Sequence, residues 1–89
     1  MTTVEAAAVT FSTALAAAVR SEMLGAGLTV TALATGAQMS PRKLARRLSD
    51  RTHFTITDLG AVGLVLGRRP SDFVKIAEQQ QGVDSTDTP

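Results

Sequence analysis

Apolar residues recur at helical spacing along most of this chain. Phe11, Leu15, Val19 and Met23 repeat every four positions with Ala8, Ala14 and Ala18 beside them, which predicts a long first helix with one apolar stripe. Gly25 and Gly27 end it. Leu28 opens a short second helix, with Thr29 as its capping hydroxyl and Leu33 and Ala34 as its buried positions. Gly36 to Met39 read as a turn. Ser40 followed by Pro41 is a start signal: the hydroxyl caps, and the proline lacks only an N–H that the first helical position leaves unused. A third helix over 40–50 follows, anchored by Leu44 and Leu48. The pattern lapses through "RTHF". It resumes at Thr55, where Thr55 and Asp58 make a T-x-x-D cap, and Leu59, Val62, Val65 and Leu66 form the buried face of a fourth helix. Gly60, Gly63 and Gly67 weaken that helix and permit close packing. Pro70 opens a fifth, carrying Phe73, Val74, Ile76 and Ala77.

No stretch reads as a strand or an internal repeat, so the fold class is all-α, a compact bundle of five helices. Residues 1–10 extend the first helix, 11–78 form the domain, and 79–89 ("QQQGVDSTDTP"), apolar only at Val83, form a disordered tail. With 89 residues, 44% of them hydrophobic, one core is affordable and two are not. The chain has no cysteine, and His53 is its sole histidine, so thiolate and multi-histidine metal sites are excluded and no cofactor is expected. The alanine-rich stretch 6–19 lacks a basic start and is interrupted by Thr10, Ser12 and Thr13. It therefore reads as neither a signal peptide nor a membrane span, and a soluble cytoplasmic protein is expected.

Charge changes the picture. From Ser40 to Arg69 seven basic residues stand against two acidic ones, a net of +5, while the rest of the chain holds two against six, a net of −4. The formal net charge of +1 therefore hides a dipolar molecule with a patch suited to a polyanion. On charge alone, a solvated helix face is the competing explanation.

The two short helices at 29–36 and 40–50, joined by a tight turn, have the dimensions of a helix-turn-helix; an ordinary helical hairpin has them too. At ~100° per residue, Leu44 and Leu48 share the inner face of the second of these helices. Arg42 and Arg46 lie opposite, one turn apart, and Arg47 and Arg51 fall nearer the core edge. That arrangement suits a helix that meets base edges near its N-terminal end.

The stretch "GLTVTALATGAQMSPRKLARRLSDRTHFTITDLGAVGLVLGRRPSDFV" resembles the Cro/cI-type helix-turn-helix of the XRE family of bacterial and bacteriophage regulators. The resemblance spans about Val19 to Val74. It rests on the Gly27-Leu28-Thr29 entry, the Leu33-Ala34 pair, the Ser40-Pro41 start with Leu44, and "FTITDLGAVGLVLG" before a proline-initiated helix. It implies a lambda-repressor-like domain that binds operator DNA, usually as a dimer. Two positions depart from the family: Gln38 stands at the usual turn glycine, and Arg47 at a usually aliphatic site, with Leu48 one residue on.

Side-chain chemistry then assigns roles. The planar arginine fork can bond guanine O6 and N7 together, so Arg42 and Arg46, with Lys43 third, are the candidates for reading bases. Thr29, Thr31 and Ser40 at helix starts, together with Arg47 and Arg51, are the candidates for the DNA backbone. His53, beside Phe54, reads as a packing or solvent-facing residue, and Arg68 and Arg69 as cations at a helix C-terminus. No phosphate loop, and no Ser–His–Asp set that this chain could assemble, supports catalysis, so a non-enzyme is expected. Two functions remain open. One is a sequence-specific regulator of transcription, phage Cro-like or an immunity repressor, bound to double-stranded operator DNA. The other is a small helical protein-interaction module, antitoxin-like or adaptor-like, with a basic face for an acidic partner. A weak homodimer, or pairing on DNA, would use the first helix or the Phe73, Val74 and Ile76 face of the fifth; no membrane partner is expected.

Overall fold

The computed structural model describes the backbone of residues 4–80 and the side chains of 11–79. Five helices follow one another: α1 (Val4–Gly25), α2 (Val30–Gly36), α3 (Pro41–Leu48), α4 (Ile56–Leu66) and α5 (Pro70–Gln80). No strand occurs among the described residues.

Each boundary has a local chemical cause. Gly27 takes φ +71°, and the Gly27 and Leu28 N–H groups donate to the carbonyls of Leu24 and Met23, which closes α1 in a left-handed Schellman turn. Thr29 caps α2, its hydroxyl accepting from the Ala32 N–H at 3.1 Å, and Ser40 caps α3 by accepting from Lys43 N–H at 3.0 Å. Thr55 and Asp58 complete a reciprocal capping box on α4. Gly67 ends α4 at φ +70°.

Two of the turns do without glycine. Gln38 follows α2 at φ +60°, with the Met39 N–H returning to the Ala34 carbonyl, so a residue with a side chain takes the left-handed conformation in this turn. Asp50 repeats the motif after α3 at φ +64°, with the Arg51 N–H on the Arg46 carbonyl. This second turn stops α3 at Leu48, two residues short of the expected 50. Helix α5 runs through Gln80, into the segment expected to be tail; residues 1–3 and 81–89 lie outside the described residues, as do the side chains of the expected extension 1–10.

The core is shared by all five helices: Leu15, Val19 and Met23 from α1, Leu33 and Ala34 from α2, Leu44 and Leu48 from α3, Leu59 and Val62 from α4, Phe73 and Ala77 from α5. Val65 and Leu66, expected in the buried face of α4, are half-buried at its margin. Helix α1 packs along α5 and touches α3, while α2 bridges α3 and α4. Ala18, Phe73 and Ala77 are fully enclosed where α1 meets α5. Of the face of the fifth helix expected to pair copies of the chain, Phe73 is thus enclosed within the fold, while Val74 and Ile76 are half-buried.

Gly63 is the close-packing glycine of α4: a Cβ there would lie 2.4 Å from the Arg68 carbonyl oxygen. No helix among the described residues is long and apolar enough to cross a membrane.

Candidate nucleic-acid interface

Helix α3 is fixed from below, and the fixing decides which of its cations are left over. Leu44 and Leu48 are buried in the core. Arg20 of α1 donates from Nη2 to the Leu48 carbonyl at 2.5 Å, satisfying a free acceptor at the helix end. From α4, the buried Asp58 reaches back to α3: its Oδ2 lies 2.9 Å from Arg47 Nε and its Oδ1 3.7 Å from Lys43 Nζ. The Arg47 Nε–H makes no directed hydrogen bond, so its attraction to Asp58 is that of close opposite charges. Asp58 Oδ2 also accepts from the Thr55 N–H at 3.0 Å, and the Asp58 N–H donates to the Thr55 hydroxyl.

Burial alone would raise the Asp58 pKa. The hydrogen bonds with Thr55 and the charges of Arg47 and Lys43 outweigh it, and the carboxyl is held below its ordinary range. Arg47 is thus a partner of a buried acid at a position where an aliphatic residue would meet the core. Its side chain is 18% exposed, against 50% for Lys43.

Arg42 and Arg46 are different. Both are exposed, lie one turn apart on the outward face of α3, and have no ion pair with any described residue. They form a ridge between two shallow depressions. Ser40, Lys43, Arg47 and Thr52 complete the lining of one, and Ala45, Ser49 and Arg51 that of the other. Arg51 is exposed just past α3. Thr29 and Thr31 are exposed at the start of α2 and line neither depression.

The tertiary ties around α3 were not foreseen from the sequence. Ser12 donates to Asp50 Oδ1 at 3.3 Å and lies 2.6 Å from His53 Nδ1, and Thr13 donates to Asp50 Oδ2 at 2.6 Å. The expectation that the chain could not gather a serine, a histidine and an aspartate is therefore corrected. Their order is not that of a nucleophile relay, however. In a relay the two ring nitrogens divide between serine and aspartate, whereas here both groups address Nδ1, with Asp50 Oδ1 at 3.8 Å. The Ser12 hydroxyl has one proton; given to Asp50, it leaves the oxygen to accept from an Nδ1–H. The cluster ties α1 to the end of α3, and His53 belongs to it rather than to simple packing. Arg68, expected to act on the α4 C-terminus, pairs instead with Glu22 of α1 at 2.8 Å. Among the described residues no cluster of acidic and histidine side chains could hold a metal.

Fold and surface together define an all-α domain of five helices in which α2, the Gln38 turn and α3 form a helix-turn-helix. Among solved structures, the chain is similar to the clp gene regulator ClgR from Corynebacterium glutamicum, with a TM-score of 0.76 and 26% sequence identity over 85% of this chain and 81% of that one. No protein-family model matches the chain, and no curated protein matches it.

Proposed function

We propose that this chain is a sequence-specific, double-stranded DNA-binding regulator of transcription that lays α3 in the major groove and acts by occupying an operator, as a small phage Cro-like or immunity repressor would. One observation carries the reading: of the four cations on α3, the two that Asp58 leaves unengaged are the outward pair Arg42 and Arg46. Each can offer a guanidinium fork to guanine O6 and N7. Lys43, half exposed, is a third candidate for base contact. Ser40, Thr29 and Thr31, at the starts of α3 and α2, suit phosphate contacts, as does Arg51. Arg47 serves the backbone less than its charge suggested, because Asp58 already engages it. The likeness to a protein named as a gene regulator adds support, and such a role belongs in the cytoplasm.

The test is selection of bound duplexes from a random library, followed by titration of the selected and scrambled sites at several salt concentrations. Two to three cations near phosphates, Arg51 together with Lys43 or one of the outward arginines, give a slope of log K against log salt of about −2 to −3 per copy. Arg46→Ala is expected to keep the fold, cost roughly 1–3 kcal/mol on the selected site and relax its base preference. Binding that ignores salt, or an Arg42→Ala/Arg46→Ala variant that selects the same site equally well, refutes the reading.

A further inference from the structure

The four cations of α3 fall into two pairs one turn apart, Arg42 with Arg46 and Lys43 with Arg47, and all four line one depression. Like charges at that spacing repel. Only the second pair has a counter-ion among the described residues, and it is Asp58, 2.9 Å from Arg47 Nε and 3.7 Å from Lys43 Nζ. Asp58 is the one charged residue of α4, whose exposed large side chains, Ile56 and Leu64, are apolar. It is ionised at neutral pH, its carboxyl being held below the ordinary range. The capping box does not need that charge, because an uncharged amide oxygen would accept from the Thr55 N–H as well.

We infer that Asp58 is a specificity-determining residue: its carboxylate withholds Arg47, and in part Lys43, from phosphates, so that non-cognate duplex is bound weakly. The inference rests on the DNA-binding reading above. Non-specific binding is almost wholly phosphate contact, and each neutralised phosphate adds about 0.9 to the salt slope, a factor near 3.5 between about 50 and 200 mM salt. A released Arg47 would not have far to go, since it already lines the depression that it shares with Arg42 and Arg46. On scrambled duplex the domain can shift until a spare cation meets a phosphate. On the selected site the arginine forks fix its register, and the same cation gains less. Among ~10⁶–10⁹ competing sites, the ratio of the two affinities decides occupancy. An anion that removes cations from the phosphate footprint raises that ratio without touching a base.

The test uses the full chain, with Gly60→Ala in every variant to offset lost stability, because a methyl group there meets nothing within 4 Å. Asp58→Asn is titrated at several salt concentrations against the duplex that the parent selects and against a scrambled one. The scrambled duplex should be bound roughly fivefold tighter near 0.1 M salt, with a slope steeper by about one. The selected duplex should gain about twofold or less, so the ratio falls. Adding Arg47→Leu should take most of the gain away. Glu22→Gln makes the same change of net charge and frees Arg68 at the far end of α4, so it should leave slope and ratio near the parent's. A purely structural Asp58 predicts the opposite sign, with both duplexes bound more weakly. Circular dichroism checks folding, and Asp58→Ser, which keeps a shorter acceptor, stands in should Asp58→Asn not fold. Scrambled binding unchanged or weakened in the folded variant, a gain that survives Arg47→Leu, or an equal gain from Glu22→Gln overturns the inference. A parent that selects no duplex refutes the regulator reading and this inference with it; a selective parent whose slope Asp58→Asn does not move refutes this inference alone.

Discussion

Asp58 is the residue whose loss should be felt most widely, and its cost can be worked out contact by contact. Asp58→Ala removes the acceptor that closes the α4 capping box, worth about 1 kcal/mol. It also leaves the Arg47 guanidinium, 18% exposed, without its counter-ion. Breaking a fully buried pair costs ~3–5 kcal/mol, and the partial exposure of Arg47 reduces this to roughly 1–2. The Lys43 contact is half exposed and adds little. The sum is about 2–3 kcal/mol. Asp58→Asn keeps an oxygen for the Thr55 N–H and should lose only the charge part, about 1–2 kcal/mol. Arg47→Leu should be harmful alone, because it strands the carboxylate. Combined with Asp58→Asn it should recover most of the loss, since apolar replacement of a buried pair is often close to neutral. Urea unfolding of the two single variants, the double and the parent at neutral pH gives the coupling directly. The pH dependence has a definite sign. The folded pKa of Asp58 lies below the ordinary 3.8, so its contribution is complete above that value and is lost as pH falls through the folded pKa. The gap between parent and Asp58→Asn should accordingly be constant near neutrality and narrow below about pH 4. Additivity of Asp58→Asn and Arg47→Leu to within ~0.5 kcal/mol would refute the ion pair as a source of stability.

The two left-handed turns should respond in opposite ways to glycine. Gln38→Gly relieves a backbone cost of about 1–3 kcal/mol at the expense of unfolded-state entropy, so a net gain near 0.5–1 kcal/mol and a melting temperature a few degrees higher are expected. Asp50→Gly should bring no gain, because it also removes the acceptor of Ser12 and Thr13. In α4, Gly60→Ala should stabilise the fold by up to ~1 kcal/mol, whereas Gly63→Ala should cost about 1–3 kcal/mol or more by driving a methyl group into the Arg68 carbonyl. Thermal melts at low protein concentration compare all four.

What could be read in the sequence was local. Thr29, Ser40-Pro41, Thr55 with Asp58, and Gly27 each act within a few residues of themselves, and the helix starts they mark are those found. The wheel over α3 also placed Leu44 and Leu48 inward and Arg42 and Arg46 outward, because a helix turns by a fixed angle per residue. The end of α3 was missed because Asp50 breaks the helix through its backbone conformation, while the run of basic residues continues to Arg51. Arg47 was visible as a departure but its partner was not, since nothing local joins it to Asp58 across a loop. The ties of Ser12 to Asp50 and His53, of Arg20 to the Leu48 carbonyl and of Arg68 to Glu22 span 28 to 46 residues and leave no periodic trace. Helix α4 is apolar nearly all round, so its pattern gave no sign that Ile56 and Leu64 would face outward.

The early stop at Leu48 limits how much a single copy can know about its address. Eight residues make a rod of about 12 Å, close to the ~12 Å width of the major groove. On its outward face only positions 42 and 46 hold a guanidinium; one turn further on, at position 50, the chain has left the helix and carries an anion bound to α1. Two forks can name only a pair of neighbouring base pairs with full discrimination. In the proposed role, one domain would meet its preferred word by chance throughout a genome offering ~10⁶–10⁹ competing sites. The information needed to find one promoter must then be gathered by repetition, with two short readings at a fixed separation counted as one long one.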